Sequence, residues 1–351
     1  MVTPHTFVIV GASLAGAKAA ETLRAEGFDG RVVLIGAEAE RPYERPALSK
    51  GYLRGDVERE TVFVHDESFY ADQSIELRTA TTVVALRPDE HALELEGGES
   101  LAYDRLLLTT GARARRIHVD GADLDGVHYL RSIADADRLA HALHEATNVV
   151  VIGAGWIGSE VAASARQLGH AVAVVDPGTV PLERVLGPQV GSIYRDLHAD
   201  HGVELHLESG VESLSGRGHV GEVRLTDGSR IPADLVVAGV GAQPRVELAA
   251  DAGLAVGNGV IVDAYLRTSN PDVFAAGDVA SAYHPGMGAR LRVEHWANAA
   301  HQGAAAARNM LGTPTAYDRV PYFFSDQYEL GMEYSGHATS WDRVVFRGNP
   351  A

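Results

Sequence analysis

Residues 148–176 read NVVVIGAGWIGSEVAASARQLGHAVAVVD, and the rest of the fold is read outward from this stretch. An apolar run, Val149–Ile152, leads into glycines at 153, 155 and 158. A segment with helical spacing of small and apolar residues follows, then a second apolar run and Asp176. Unbroken apolar runs of this length mark strands buried on both faces, which belong to a parallel sheet with crossover helices. The G-x-G-x-x-G pattern has a physical reading at each glycine. Gly153 makes the tight strand-to-helix turn, Gly155 lets backbone approach a pyrophosphate, and Gly158 lets the helix pack close to the sheet. The free N–H groups at the helix start then favour the anion. Asp176, about 20 residues on, stands where a carboxylate bonds ribose hydroxyls. It would repel a 2′-phosphate, which predicts NADH over NADPH.

The same pattern occurs a second time. Residues 6–38 read TFVIVGASLAGAKAAETLRAEGFDGRVVLIGAE, with Gly11 and Gly16 in the first and third glycine places and Ser13 in the second. Glu38 is the nearest carboxylate after the second strand. Each copy continues into strand-like segments with Gly97-Gly98 or Asp227-Gly228 turns. Each closes in an apolar strand and a small-residue turn, YDRLLLTTGAR at 103–113 and ADLVVAGVGAQPR at 233–245. The chain is therefore an α/β protein with two Rossmann-like dinucleotide-binding domains. The closing turns add Thr110 and Gly111 in the first copy and Gly241 in the second as candidate contacts. Trp156 and Ile157 stand inside the second glycine turn.

Composition limits the chemistry. The 351 residues contain no cysteine, which excludes a disulfide scaffold, a thiol nucleophile and a redox dithiol on this chain. The net charge is 30 − 47 = −17, which argues against nucleic-acid binding, since that needs clustered basic residues. Met1 runs into the apolar Phe7–Val10 with no basic n-region, so no signal peptide is expected. No apolar run reaches about 18 residues, so no membrane span is expected either. A cytoplasmic protein is the natural reading. No metal site is expected.

The order of GASLAG, RPYERPALSKGYL (41–53), LLLTTGARAR (106–115), GAGWIGSEVA, FAAGDVA (274–280) and FFSDQYELG (323–331) resembles the ferredoxin reductases of bacterial oxygenase systems. This is the family of putidaredoxin reductase and of the reductase components of aromatic-ring dioxygenases. The resemblance covers nearly the whole chain, and R-P-x-x-R-P-x-L-S-K followed by S-D-Q-Y is its most specific part. It implies a glutathione-reductase-like, three-layer arrangement. A discontinuous FAD domain would span 1–113 and 246–319, with an NADH domain at 114–245. Residues 320–351 would begin a partial α+β C-terminal domain, which in the family continues further.

The resemblance also implies roles. Ala15, Glu38, Arg45, Lys50 and Val83 are similar to FAD contacts, as are Arg131 in HYLRS, Gly277 and Asp278 in AAGDVA, and Trp296 in EHWANA. Glu160 resembles the acid beside the nicotinamide, and a Lys50–Glu160 pair near the flavin is the expected catalytic element. The implied acceptor is a two-iron ferredoxin, with a basic patch among Arg290, Arg292, Arg308 and Arg41 to receive it. An NADH oxidase or quinone reductase stays open as an alternative, as does a redox sensor like apoptosis-inducing factor. Where the family has tryptophans before S-D-Q, this chain has Tyr322 and Phe324.

Overall fold

The structure is a computed structural model that describes residues 5–348. The chain divides into two compact units. One comprises the chain up to Glu44, Glu60–Arg113 and Pro244–Phe323. The other comprises Arg45–Arg59, Ala114–Gln243 and the chain from Phe324 onward.

The first unit is built on a five-stranded parallel sheet in the order Val273–Ala275, Arg105–Leu108, Thr6–Val10, Arg31–Ile35, Ile75–Arg78. The central strand pairs on both sides, with Val8 opposite Val33 and Leu106. Val8, Ile9, Val32, Val33 and Leu34 have no exposed surface, which is why these strands read as unbroken apolar runs. Helix Leu14–Ala25 packs against helix Trp296–Met310 through small residues. A Cβ on Gly303 would lie 2.2 Å from the Ala15 carbonyl oxygen, so the two backbones are in direct contact. A three-stranded antiparallel sheet, Val83–Arg87, Ala92–Leu95 and Ser100–Ala102, adds Leu86, Leu93, Leu95 and Leu101 to the same core.

The second unit repeats this plan. Its parallel sheet has the order Glu204–His206, Ala171–Val175, Asn148–Ile152, Leu235–Ala238, Val127–His128. Helix Trp156–Gln167 joins its two central strands, and Val211–Gly216, Val220–Leu225 and Arg230–Pro232 form the antiparallel sheet. The duplication read in the sequence thus extends to the order of four of the five strands in each sheet, and the protein has the expected α/β class with two Rossmann-like units.

Two segments fall elsewhere than their sequence position suggested. Residues 45–59 lie between stretches of the first unit but cluster with the second. Tyr52 and Arg59 both bond Asp137 on helix Ile133–Glu145, at 2.6 and 2.7 Å. Residues 320–351, expected to open a further domain, carry a hairpin of strands Tyr322–Gln327 and Leu330–Ser335. Leu330, Met332 and Tyr334 pack on Leu182, Leu186 and Tyr194 of the second unit. Among the described residues, no helix is long and apolar enough to cross a membrane.

The tight glycine packing makes a prediction. A Cβ on Gly158 would sit 1.9 Å from the Gly153 carbonyl oxygen, a backbone atom that cannot turn aside. Gly158→Ala should therefore lower stability by about 1–3 kcal/mol. Urea denaturation followed by circular dichroism checks this; an unchanged midpoint would show that the turn tolerates the methyl group.

Candidate active site

The first glycine turn is shaped by contact with the closing strand. Gly11 has φ +120°, and a Cβ there would lie 2.1 Å from the Thr109 carbonyl oxygen. Thr109 Oγ1 donates to the Gly11 carbonyl at 2.8 Å. Ser13 caps helix Leu14–Ala25 in extended conformation, but its side chain makes no cap bond, and the first turn carries no acid. Ala15 lies beneath Gly277, whose Cβ would come within 3.1 Å of the Ala15 methyl. Gly277 donates its N–H to Gln302 Oε1 at 2.9 Å, which fixes the loop bearing half-buried Asp278. Thr110 Oγ1 donates to the Arg245 carbonyl at 2.8 Å, and Gly111 accepts from Arg245 N–H. Glu38 is exposed and accepts a hydrogen bond from the Tyr43 hydroxyl. Val83 is half-buried opposite Leu95, and Trp296 opens helix Trp296–Met310 with 38% of its surface exposed. The structure thus gathers Gly11, Ser13, Ala15, Gly16, Gly277 and Trp296 on elements that surround one helix start.

The second turn repeats the squeeze at Gly153 and Gly158 but not at Gly155. A Cβ on exposed Gly155 would meet no atom within 4 Å. The protein's own packing does not demand glycine there, whereas a ligand lying against the backbone would. Asp176 accepts from Ala154 N–H and Gly178 N–H, each at 2.7 Å, so its carboxylate is locked beside the turn. Exposed Gly241 has φ +105°, and its carbonyl accepts from Arg115 N–H. Trp156 and Ile157 begin the helix, half-buried and exposed respectively.

The strongest arrangement lies one turn further into this helix. Glu160 is only 4% exposed, yet its carboxylate has three donors. Lys50 Nζ lies 3.0 Å and Ser325 Oγ 2.7 Å from Oε1, while the Ser49 hydroxyl donates to Oε2. A buried carboxylate without such donors would be strongly disfavoured as an anion. Ser164, four residues after Glu160, donates to the Ser49 carbonyl at 2.7 Å and holds that loop in register. The Lys50 ammonium also lies 5.5 Å from the centre of the Phe324 ring, so an aromatic face is kept where the family has tryptophan. Burial, then the charges of Glu160 and Asp326, push the Tyr194 phenol up to about 12.

The sequence named Lys50 and Glu160, and both are here. It missed Ser49 and Ser325, although each lies inside a quoted motif. Arg45 and Arg131 are joined in the second unit, an Arg45 N–H donating to the Arg131 carbonyl. The expected basic patch is not assembled as four uncompensated charges. Arg41 pairs with Glu60, Arg292 with Glu294 and Arg308 with Glu26. Arg290 donates to the Val262 and Ser281 carbonyls at 2.6 Å. Among the described residues, no group of acids, histidines or cysteines is placed to hold a metal.

Two glycine-turn helices, each on its own parallel sheet, define a protein that binds two dinucleotides. Residues 5–303 match the model of the pyridine nucleotide-disulphide oxidoreductase family. The anthranilate 1,2-dioxygenase system ferredoxin–NAD(+) reductase component of Burkholderia cepacia is 41% identical over 348 residues, 98% of this chain and 85% of that protein. The ferredoxin reductase for the CYP199A2 system from Rhodopseudomonas palustris superposes with a TM-score of 0.96 at 38% identity, covering 98% of this chain and 85% of that one. The reductase in the covalent putidaredoxin reductase–putidaredoxin complex gives 0.95 at 36% identity, covering 99% and 84%.

The chain belongs to the pyridine nucleotide-disulphide oxidoreductase family, in the branch of ferredoxin reductases of oxygenase systems. That family implies FAD and NAD(H). The residues present fit them: both helix starts lack an acid in the first turn, and open space over Gly155 leaves room for a pyrophosphate.

The pairing at Glu160 is testable without cofactor. Removing one partner of a buried pair leaves the other charge uncompensated. Lys50→Met and Glu160→Gln should each destabilise the protein, and the double variant should lose less than their sum by about 1–3 kcal/mol. Thermal or urea unfolding of all four proteins reads this coupling. Simple additivity would mean the two side chains do not interact.

Proposed function

We propose that this protein is an NADH-dependent ferredoxin reductase, with FAD on the first unit and NADH on the second. The observation that carries the reading is the buried Glu160 carboxylate, met by Lys50 and serines from separate motifs. When bound, FAD and NADH supply the hydride acceptor and donor, and the flavin can release an electron pair as single electrons. The side chains do the remaining work. Gly11, Ser13 and Ala15 leave the backbone accessible to the FAD pyrophosphate, with Gly16 keeping the helix close to the sheet. Arg45 and Arg131 offer cationic groups to the FAD phosphates. Glu38 offers ribose hydroxyls an acceptor, Val83 an apolar face for adenine, and Asp278 an acceptor for the ribityl chain. Thr110, Gly111, Gly277 and Trp296 line the same ligand.

Gly153, Gly155 and Gly158, with Trp156, Ile157 and Gly241, form the NADH counterpart, and Asp176 takes the ribose hydroxyls. Lys50 would offer its ammonium to a bound flavin, and Glu160 holds that ammonium in place. Hydride transfer needs no nucleophile, only alignment and a favourable field.

The outlet for the electrons is a ferredoxin. A dithiol relay has no residues here, since the chain contains no cysteine. The related dioxygenase component is named a ferredoxin–NAD(+) reductase, and putidaredoxin reductase was crystallised joined to putidaredoxin. We assign the partner to the small two-iron type and the protein to the cytoplasm.

Cytochrome c reduction by NADH, with and without a two-iron ferredoxin, tests the reading. Turnover should depend on the ferredoxin and run with a higher kcat/KM for NADH than for NADPH. Equal rates without ferredoxin would favour an oxidase, and a slow, stable reduced complex would favour a sensor. Gly155→Ala should keep its thermal stability, because its Cβ enters open space, while the KM for NADH rises about tenfold or more. An unchanged KM would remove the pyrophosphate from this turn.

A further inference from the structure

Behind Ser325 the hydrogen bonds continue inward. Gln327 Nε2 lies 3.3 Å from Ser325 Oγ, and Gln327 Oε1 lies 2.9 Å from His198 Nε2. Ser325, Gln327 and His198 are each 1% exposed, and none of them belongs to either glycine turn. His198 stands on helix Glu183–Asp200, and the other two stand on strand Tyr322–Gln327.

We infer that Ser325, Gln327 and His198 form a one-way chain of donors that positions Glu160 against Lys50. Each link has a forced direction. The Gln327 carbonyl can only accept, so His198 Nε2 carries the proton given to it, and burial, which lowers the His198 pKa, favours the neutral ring. The Gln327 amide then presents its NH2 to Ser325. A hydroxyl has a single proton, and with its oxygen already accepting from Gln327 that proton goes to Glu160. An amide cannot readily pass a proton along, so the chain orients and does not relay. The outcome is a carboxylate that finds only donors around it: Lys50 and Ser325 on Oε1, Ser49 on Oε2. Ser325, Gln327 and His198 are thus positioning residues for the Lys50–Glu160 pair, and this role rests on the function proposed above.

Two substitutions separate positioning from general stability. Ser325→Ala removes the donor. Gln327→Met keeps about the same volume but supplies neither donor nor acceptor, which leaves the serine hydroxyl free to turn away from Glu160. The readout uses a property of the sequence: Lys18 and Lys50 are its only lysines. In flavin-loaded protein labelled at lysine Nζ with nitrogen-15, the Lys50 ammonium should exchange slowly with solvent, because it is 13% exposed and held by Glu160. Both substitutions should speed that exchange about tenfold while Lys18, paired with Glu21, is unchanged. The rate of flavin reduction at saturating NADH should fall about tenfold with the Kd for NADH preserved. If Gln327→Met does not fold, Ser325→Ala alone decides. Wild-type Lys50 exchange in folded variants would overturn the positioning role, whatever the flavin does. Failure of NADH to reduce the wild-type flavin would instead overturn the proposed function and leave the lysine result standing.

Discussion

A carboxylate removed from water must be surrounded by donors, and Glu160 is the place where this protein meets that constraint. Its three donors are separated from it by 111, 110 and 165 residues. No local preference brings them together. The R-P-A-L-S-K loop, the second glycine-turn helix and the S-D-Q strand must all be in position before the anion is tolerated. The second unit's assignment of residues 45–59 follows from the same requirement, with Ser164 and Asp137 tying that loop down. Stability and chemistry are linked here: the bonds that make the buried charge acceptable also aim it at Lys50.

The parts legible in the sequence are those with short-range causes. The glycine turns were readable because all but one of their glycines answer a local steric demand, as the close approaches at Gly11, Gly16, Gly153 and Gly158 show, while Gly155 faces open space. The two parallel sheets were readable from repeated apolar runs. Lys50 and Glu160 became visible through resemblance, since nothing in their spacing joins residues so far apart. Ser49 and Ser325 stood in plain view inside motifs, yet a serine carries no sequence signal for bonding a distant acid. His198 had less still, being one of 16 histidines in the chain and standing on a helix that kinks at Gly187-Pro188. The arginines misled for the opposite reason. Their charges can be counted, but the pairing of Arg308 with Glu26 closes a separation of 282 residues.

The family is named for disulphides, and this chain has no cysteine. In the function proposed above, the duplicated scaffold and the buried Lys50–Glu160 pair concern how electrons enter. The exit is a separate problem, which the proposed ferredoxin solves without any thiol. Phe324, which presents its ring to Lys50, and Ser325 are adjacent on the strand that supplies the positioning chain. One short stretch therefore touches both members of the ion pair.

The central claim is that this protein passes a hydride directly from a nicotinamide to a flavin. Anaerobic mixing of the flavin-loaded protein with NADH deuterated at C4 tests it most directly. The account predicts rapid loss of the flavin's visible absorbance in a phase slowed by deuterium. Absorbance that persists, or bleaching that ignores the isotope, would contradict it.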